Sequence, residues 1–179
     1  AKRGEDAYII AKMNSLLDKR VIAKLYEASA NGVCIDLIVR GICTLRPGIA
    51  GVSDNITVRS IVGRFLEHHR LFYFRNGGNE KIFLSSADWM PRNLNERVEL
   101  MIPIEDKRHK ARIKGILDLY LVDTLKAHLM RSDGSYYKVS NIEGPLSAQE
   151  ELMEAANTQD SREQMTVIER FKPMFKMKE

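Results

Sequence analysis

Four residues, Asn76-Gly77-Gly78-Asn79, lie between two apolar runs and restrict the fold more than any other feature of the chain. Glycine carries the positive φ that a tight hairpin turn needs, so the pair predicts two adjacent antiparallel strands. The runs themselves, Leu71 to Phe74 and Lys81 to Leu84, have strand length and strand composition, as does a third, Val98 to Ile102. Around them sit groups that apolar packing does not ask for. Glu67, His68, His69 and Arg70 precede the first strand, Ser85, Ser86 and Asp88 follow the second, and Arg92, Asn93, Arg97 and Glu99 lie beyond. Histidine, arginine, serine and carboxylates gathered at strand ends suit a site for a phosphorylated ligand.

Upstream, residues 8–13 read as a buried strand with Lys12 and Asn14 at its C-terminal end. Asp18 is placed to start a helix over 19–30, Asn31-Gly32 to stop it, and residues 33–39 to form the next strand. Strand, helix, glycine turn and strand make a parallel βαβ unit. Its second strand ends in Arg40-Gly41, where open α/β sheets bind ligands, and glycine permits close backbone approach. A loop carrying Arg46 spans 42–56, a short strand 57–62, and a short helix or turn 63–69.

Beyond the hairpin, an apolar stripe from Ile113 to Leu129 predicts one long helix over 104–130. It carries His109 and His128 as surface or packing residues. A turn at 132–135 leads to a short strand at 136–139. The expected domain is 1–144. Residues 145–179 read as a polar tail, helical over 146–157 and mobile in its last eight residues.

The length of 179 residues fits one domain. No run of 18 apolar residues is present, and the first residues lack an apolar signal core. The chain begins without Met and enters a strand at once, which reads as a piece of a longer polypeptide whose missing part is N-terminal. Cys34 and Cys43 form no metal pattern and read as reduced thiols. The net charge is +4, and residues 145–179 carry 7 acidic and 5 basic groups, so the body holds +6. That permits an anionic partner without demanding one.

His68 and Arg70 alternate with period 2, so on an extended chain they face the same way, while His69 faces the other way and reads as surface. With Ser85-Ser86-Ala87-Asp88 they partly resemble the phospholipase D signature, in which His-x-Lys is followed by an acid and by Gly-Ser-x-Asn. Arg70 replaces Lys, Asn76 stands near the place of the acid, and Ser85-Ser86-Ala87-Asp88 replaces Gly-Ser-x-Asn. Longer stretches, LIVRGICTLRPG, IVGRFLEHHRLFYFRNGG and LSSADWMPRNLNERVE, resemble the C-terminal domain of the polyphosphate kinase family over about residues 5–140.

The resemblance implies an α/β fold, a phospholipase D-like mixed β-sheet flanked by helices in a single domain. It implies ATP, ADP and inorganic polyphosphate as ligands, with Mg2+ arriving with ATP and its ligands outside this chain. N-terminal, head and first phospholipase D-like domains would precede it, the last closing a tunnel and carrying a phosphorylated histidine. His68 would be the second active-site histidine, Arg40 the arginine of the ATP phosphates, and Arg97 and Glu99 further site residues. On their positions alone, Arg70 beside His68, Ser85 and Ser86, which can donate to a phosphate or cap the turn, and Lys12 and Asn14 at a strand end would support them. A homo-oligomer in the full-length state and a cytoplasmic location, at most associated with the inner membrane surface, are expected.

Two rivals remain. A free-standing phosphodiesterase would need two half-sites, and the chain holds one. A non-enzymatic polyanion binder is allowed by the charge, but no nucleic-acid-binding pattern is present and no nucleic acid partner is expected.

Overall fold

The computed structural model describes residues 1–139 and 144–157. Eight strands form one mixed sheet. They are β1 (Tyr8–Met13), β2 (Cys34–Val39), β3 (Ile56–Ile61), β4 (Arg70–Phe74), β5 (Lys81–Ser85), β6 (Met101–Ile104), β7 (Ala127–Met130) and β8 (Tyr136–Lys138). Their spatial order is β6-β5-β4-β1-β2-β3-β7-β8. β1, β2 and β3 run parallel, and every other neighbouring pair is antiparallel.

Helix α1 (Lys19–Ala30) covers one face. Asp18 caps it, its carboxylate accepting the backbone N–H of Arg20 and of Val21, each at 3.0 Å. Gly32, at φ 84°, turns the chain out of it. Ile22 and Leu25 meet Met13, Leu37 and Phe72 of the sheet, and Leu16 beyond β1, in an apolar cluster. On the opposite face, α3 (Lys107–Leu121) and α4 (Ala148–Asn157) bring Leu117, Tyr120 and Ala148 against Ile10, Ile38, Leu71 and Tyr73. A short helix, α2 (Pro91–Asn95), links β5 to β6. The β4–β5 turn is built from Asn76, Gly77 and Gly78, all at positive φ.

Three expectations are corrected. The long helix over 104–130 ends at Leu121, and its last part is strand β7. The Asp123 carboxylate takes the backbone N–H of Lys126 and Ala127 at 2.8 and 3.0 Å, which turns the chain. Ala127 to Leu129 then pair with the open edge of β3. His128 therefore stands on a strand, and Ile104 belongs to β6. The third hairpin-side strand is Met101–Ile104 rather than Val98 to Ile102, and Val98 is fully exposed. Residues 63–69 form neither helix nor strand. The last eight residues, expected to be mobile, lie outside the described residues.

Candidate functional site

The C-terminal ends of β1, β2 and β5 and the start of β4 meet at one end of the sheet. Parallel pairing of β1 with β2 brings Asn14 beside Arg40, one residue past each strand. Gly41 donates its N–H to the Asn14 carbonyl at 2.7 Å, and a Cβ at Gly41 would sit 2.8 Å from that oxygen. The close approach anticipated for this glycine is thus to backbone of the neighbouring strand. Pairing of β4 with β5 sets Arg70 opposite Ser85 and brings the following residues, 86–88, under Asn14.

Asp88 is the centre of the arrangement. It is 6% exposed, and its carboxylate is fully engaged. Oδ1 accepts the Asn14 N–H at 2.7 Å, the Ser15 N–H at 3.3 Å and Arg70 Nε at 3.1 Å. Oδ2 accepts the second arm of the Arg70 guanidinium at 2.9 Å. Burial pushes the Asp88 pKa up, but Arg70 and the two backbone amides outweigh it and hold the carboxyl below its ordinary range.

From Asp88 the bonding runs both ways. The Asn14 side chain lies within 3.3 Å of Asp88, and its Oδ1 accepts Arg40 Nε and NH2 at 2.9 and 2.7 Å. Arg70 NH1 donates to the His68 carbonyl at 2.7 Å and lies 3.0 Å from His68 Nδ1. Arg40, Asn14, Asp88, Arg70 and His68 therefore form one connected row. Across from it, Glu99 accepts hydrogen bonds from Ser86 Oγ and Asn93 Nδ2. These bonds, Ser86 foremost, draw its pKa down.

Row and facing side enclose a pocket of about 270 Å³. Of the residues anticipated for the site, Asn14, Arg40, His68, Arg70, Ser86, Arg97 and Glu99 line it. Four arginines, Arg40, Arg70, Arg92 and Arg97, share it with two carboxylates, both already hydrogen-bonded.

A sequence profile described as polyphosphate kinase C-terminal domain 2 matches residues 1–149. The chain belongs to this polyphosphate kinase family. Polyphosphate kinase of Pseudomonas aeruginosa is 54% identical over 156 residues, which is 86% of this chain and 23% of that protein. The Paraburkholderia phytofirmans enzyme is 60% identical over 138 residues, 76% of this chain and 20% of that protein. The crystal structure of polyphosphate kinase from Porphyromonas gingivalis superposes with a TM-score of 0.85 at 43% identity, covering 92% of this chain and 25% of that one. NucT from Helicobacter pylori, at 12% identity and a TM-score of 0.51, shares the fold. The chain thus spans about a quarter or less of the length of these polyphosphate kinases.

Within this polyphosphate kinase domain two anticipated supporting residues lie off the pocket wall. Lys12 points to the other face of the sheet. Its Nζ is 3.4 Å from Glu67 and 5.0 Å from the centre of the Tyr120 ring. Alternation along β1 places Lys12 with Ile10, on the α3 side. Burial lowers its pKa, and Glu67 opposes that shift. Ser85 Oγ donates to the Leu100 carbonyl and accepts the Ala87 N–H, so it holds the loop.

Asp88, Met90, Arg92 and Asn93 also line the pocket; the three polar ones belong to the cluster around the strand ends, without an individual role there, and Met90 does not. Membership of that cluster, rather than adjacency to an assigned residue, is the usable signal for the three polar ones. His69 faces away from His68 as expected, its ring tilted against Tyr120 at 5.9 Å. Desolvation of its inner edge, with Lys12 and Arg70 nearby, pushes its pKa down to about 4. Trp89 stacks on Phe72 at 4.8 Å and packs under the site.

Proposed function

We propose that this domain supplies half of the active site of a full-length polyphosphate kinase, which transfers the terminal phosphate of ATP reversibly to inorganic polyphosphate. The observation that carries the reading is the pocket in which four arginines and His68 converge while both carboxylates are engaged within the wall, Asp88 by Arg70 and Glu99 by Ser86 and Asn93. Phosphoryl transfer spreads charge over the phosphoryl oxygens, and fixed cations stabilise it. Arg40 and Arg97 act as forked phosphate ligands, as only arginine can. Asn14 orients Arg40, and Asp88 holds Arg70 without leaving an unpaired charge in the wall.

His68 is exposed and hydrogen-bonded at its Nδ1 side to Arg70, which leaves Nε2 toward the ligand. In this reading His68 donates a proton to, or binds, the departing phosphate, and the preceding domain of the same polypeptide supplies a phosphohistidine nucleophile. Exposed apolar residues lie on the two segments that carry pocket residues, Val62, Phe65 and Leu66 before His68, and Val98 and Leu100 on either side of Glu99. They suit closure by that preceding domain. Residues 1–144 carry the site in this reading, and α4, the first part of the following tail, packs back on the sheet. Homo-oligomerisation and residence in the cytoplasm, beside the inner membrane surface, complete the proposal. Among the described residues no helix is long and apolar enough to cross a membrane.

Magnesium would come with ATP. The oxygens of Asp88 and Glu99 are taken by protein donors, and among the described residues no three His, Cys, Asp or Glu side chains cluster. The donor set here does not fit a divalent-ion site of its own, so no step is assigned to one.

The test is His68→Ala in the full-length enzyme. The rate of polyphosphate synthesis should fall at least ~10²-fold, the usual size of an acid–base contribution. An unchanged rate would remove His68 from the mechanism.

A further inference from the structure

His68 sits on a segment, residues 62–69, that no regular secondary structure supports. Burial does little for it either, since Val62 is 65% and Leu66 75% exposed. Its placement must therefore come from specific bonds. At the downstream end Arg70 holds the His68 carbonyl. Between, the Glu67 carboxylate takes the Tyr120 hydroxyl and pairs with Lys12. At the upstream end the tie comes from a different part of the chain. Gln149 of α4 accepts the Phe65 N–H on Oε1 at 3.0 Å and donates from Nε2 to the Phe65 carbonyl, also at 3.0 Å. The one side-chain amide clamps both polar groups of a peptide residue, as a paired strand would.

We propose that Gln149 is a positioning residue for His68, acting through the backbone of Phe65. The proposal rests on the role given above to His68. The side chain is 5% exposed, so little water competes for its bonds. A carboxylate would lose the donor, and asparagine would fall short. The neighbouring Gly63 fits the same purpose: a Cβ there would collide with the Gln149 Oε1 and lie 2.9 Å from Cδ. The clamp also has a firm base. Asp123 Oδ2 accepts the Ala148 N–H at 2.8 Å, and Thr124 Oγ1 accepts the Leu146 N–H at 2.9 Å, which fixes the start of α4 to the turn after α3. Position thus passes from Asp123 through α4 to Phe65 and, three residues on, to His68.

The test compares Gln149→Ala, Gly63→Ala, the double variant and His68→Ala in the full-length enzyme. The readouts are kcat and KM for ATP and polyphosphate per folded molecule. Misplacing a reacting group by about 1 Å costs up to ~10²-fold. Gln149→Ala should therefore lower kcat about 10-fold or more while each KM changes less than about 2-fold. Gly63→Ala should do the same by displacing the glutamine. The double variant should be no worse than either single one, because truncating Gln149 removes the clash. If His68→Ala is inactive while Gln149→Ala keeps its kcat, or changes only KM or thermal stability, the positioning role is overturned. Additive losses in the double variant would also overturn it. Full activity in His68→Ala would instead refute the reading of the site on which it rests.

Discussion

Asp88 illustrates how a single buried carboxylate can order the cationic side chains and backbone around it. It meets Arg70 in a two-armed pair and also takes two backbone amides, so its charge is neutralised inside the wall. Asp88→Ala should destabilise the chain by about 3–5 kcal/mol, the usual cost of leaving a buried charge unpaired, as read by denaturant unfolding. The pH dependence has a definite sign. A carboxyl whose pKa is depressed in the folded state adds stability above its ordinary value, near ~3.9, and loses it as pH falls through the folded value. Stability should thus fall in acid below about pH 4, and less steeply in Asp88→Asn; parallel curves for the two proteins would contradict the assignment. The basic residues of this site were legible as a cluster at strand ends. The central position of Asp88 was not, because its partners Asn14 and Ser15 lie 74 and 73 residues away. Only the fold reveals that Asp88, two residues past Ser86, reaches the backbone just beyond β1.

At the scale of elements, local signals located most of the chain. Asp18 and Gly32 bound α1, the Asn-Gly-Gly-Asn turn joins β4 to β5, and the parallel β1–β2 pair follows from the helix between its strands. The end of α3 is hidden in the sequence because Leu125 and Leu129 continue its apolar stripe. The helix is stopped by a local turn and a tertiary pairing: Asp123 takes the backbone donors of Lys126 and Ala127, three and four residues on, and β3 offers an edge that Ala127–Met130 complete. Asp123 is 1% exposed and accepts from Lys126, Ala127 and Ala148. Asp123→Ala should cost at least about 2 kcal/mol, since each buried N–H left without a partner costs about 1–3 kcal/mol. Thermal unfolding would check this, and a change within experimental error would refute it. Lys12 was placed beside the site because it is near a strand end. Strand parity sends it to the α3 face, whereas Asn14, past the last ladder pair Met13↔Val39, escapes the alternation and reaches Arg40.

At the scale of the molecule, the sheet is sealed by α1 on one face and by α3 and α4 on the other, and the pocket opens at the end between them. The bonded row from Arg40 to His68 is internally complete, but the pocket faces solvent and exposed apolar residues. The isolated chain should accordingly fold yet fail to make polyphosphate, because the proposed nucleophile lies in another domain. Incorporation of labelled phosphate from ATP into long chains by the purified 179-residue chain would disprove this. In the proposed function the arginine-lined pocket holds the phosphate ligand. Calorimetric titration of ATP into the full-length enzyme, wild type against Arg40→Ala, tests it most directly. Losing a charge-assisted bidentate contact worth about 1.5–3 kcal/mol should weaken binding roughly 10- to 100-fold. An unchanged Kd in the variant would mean that the phosphates bind elsewhere.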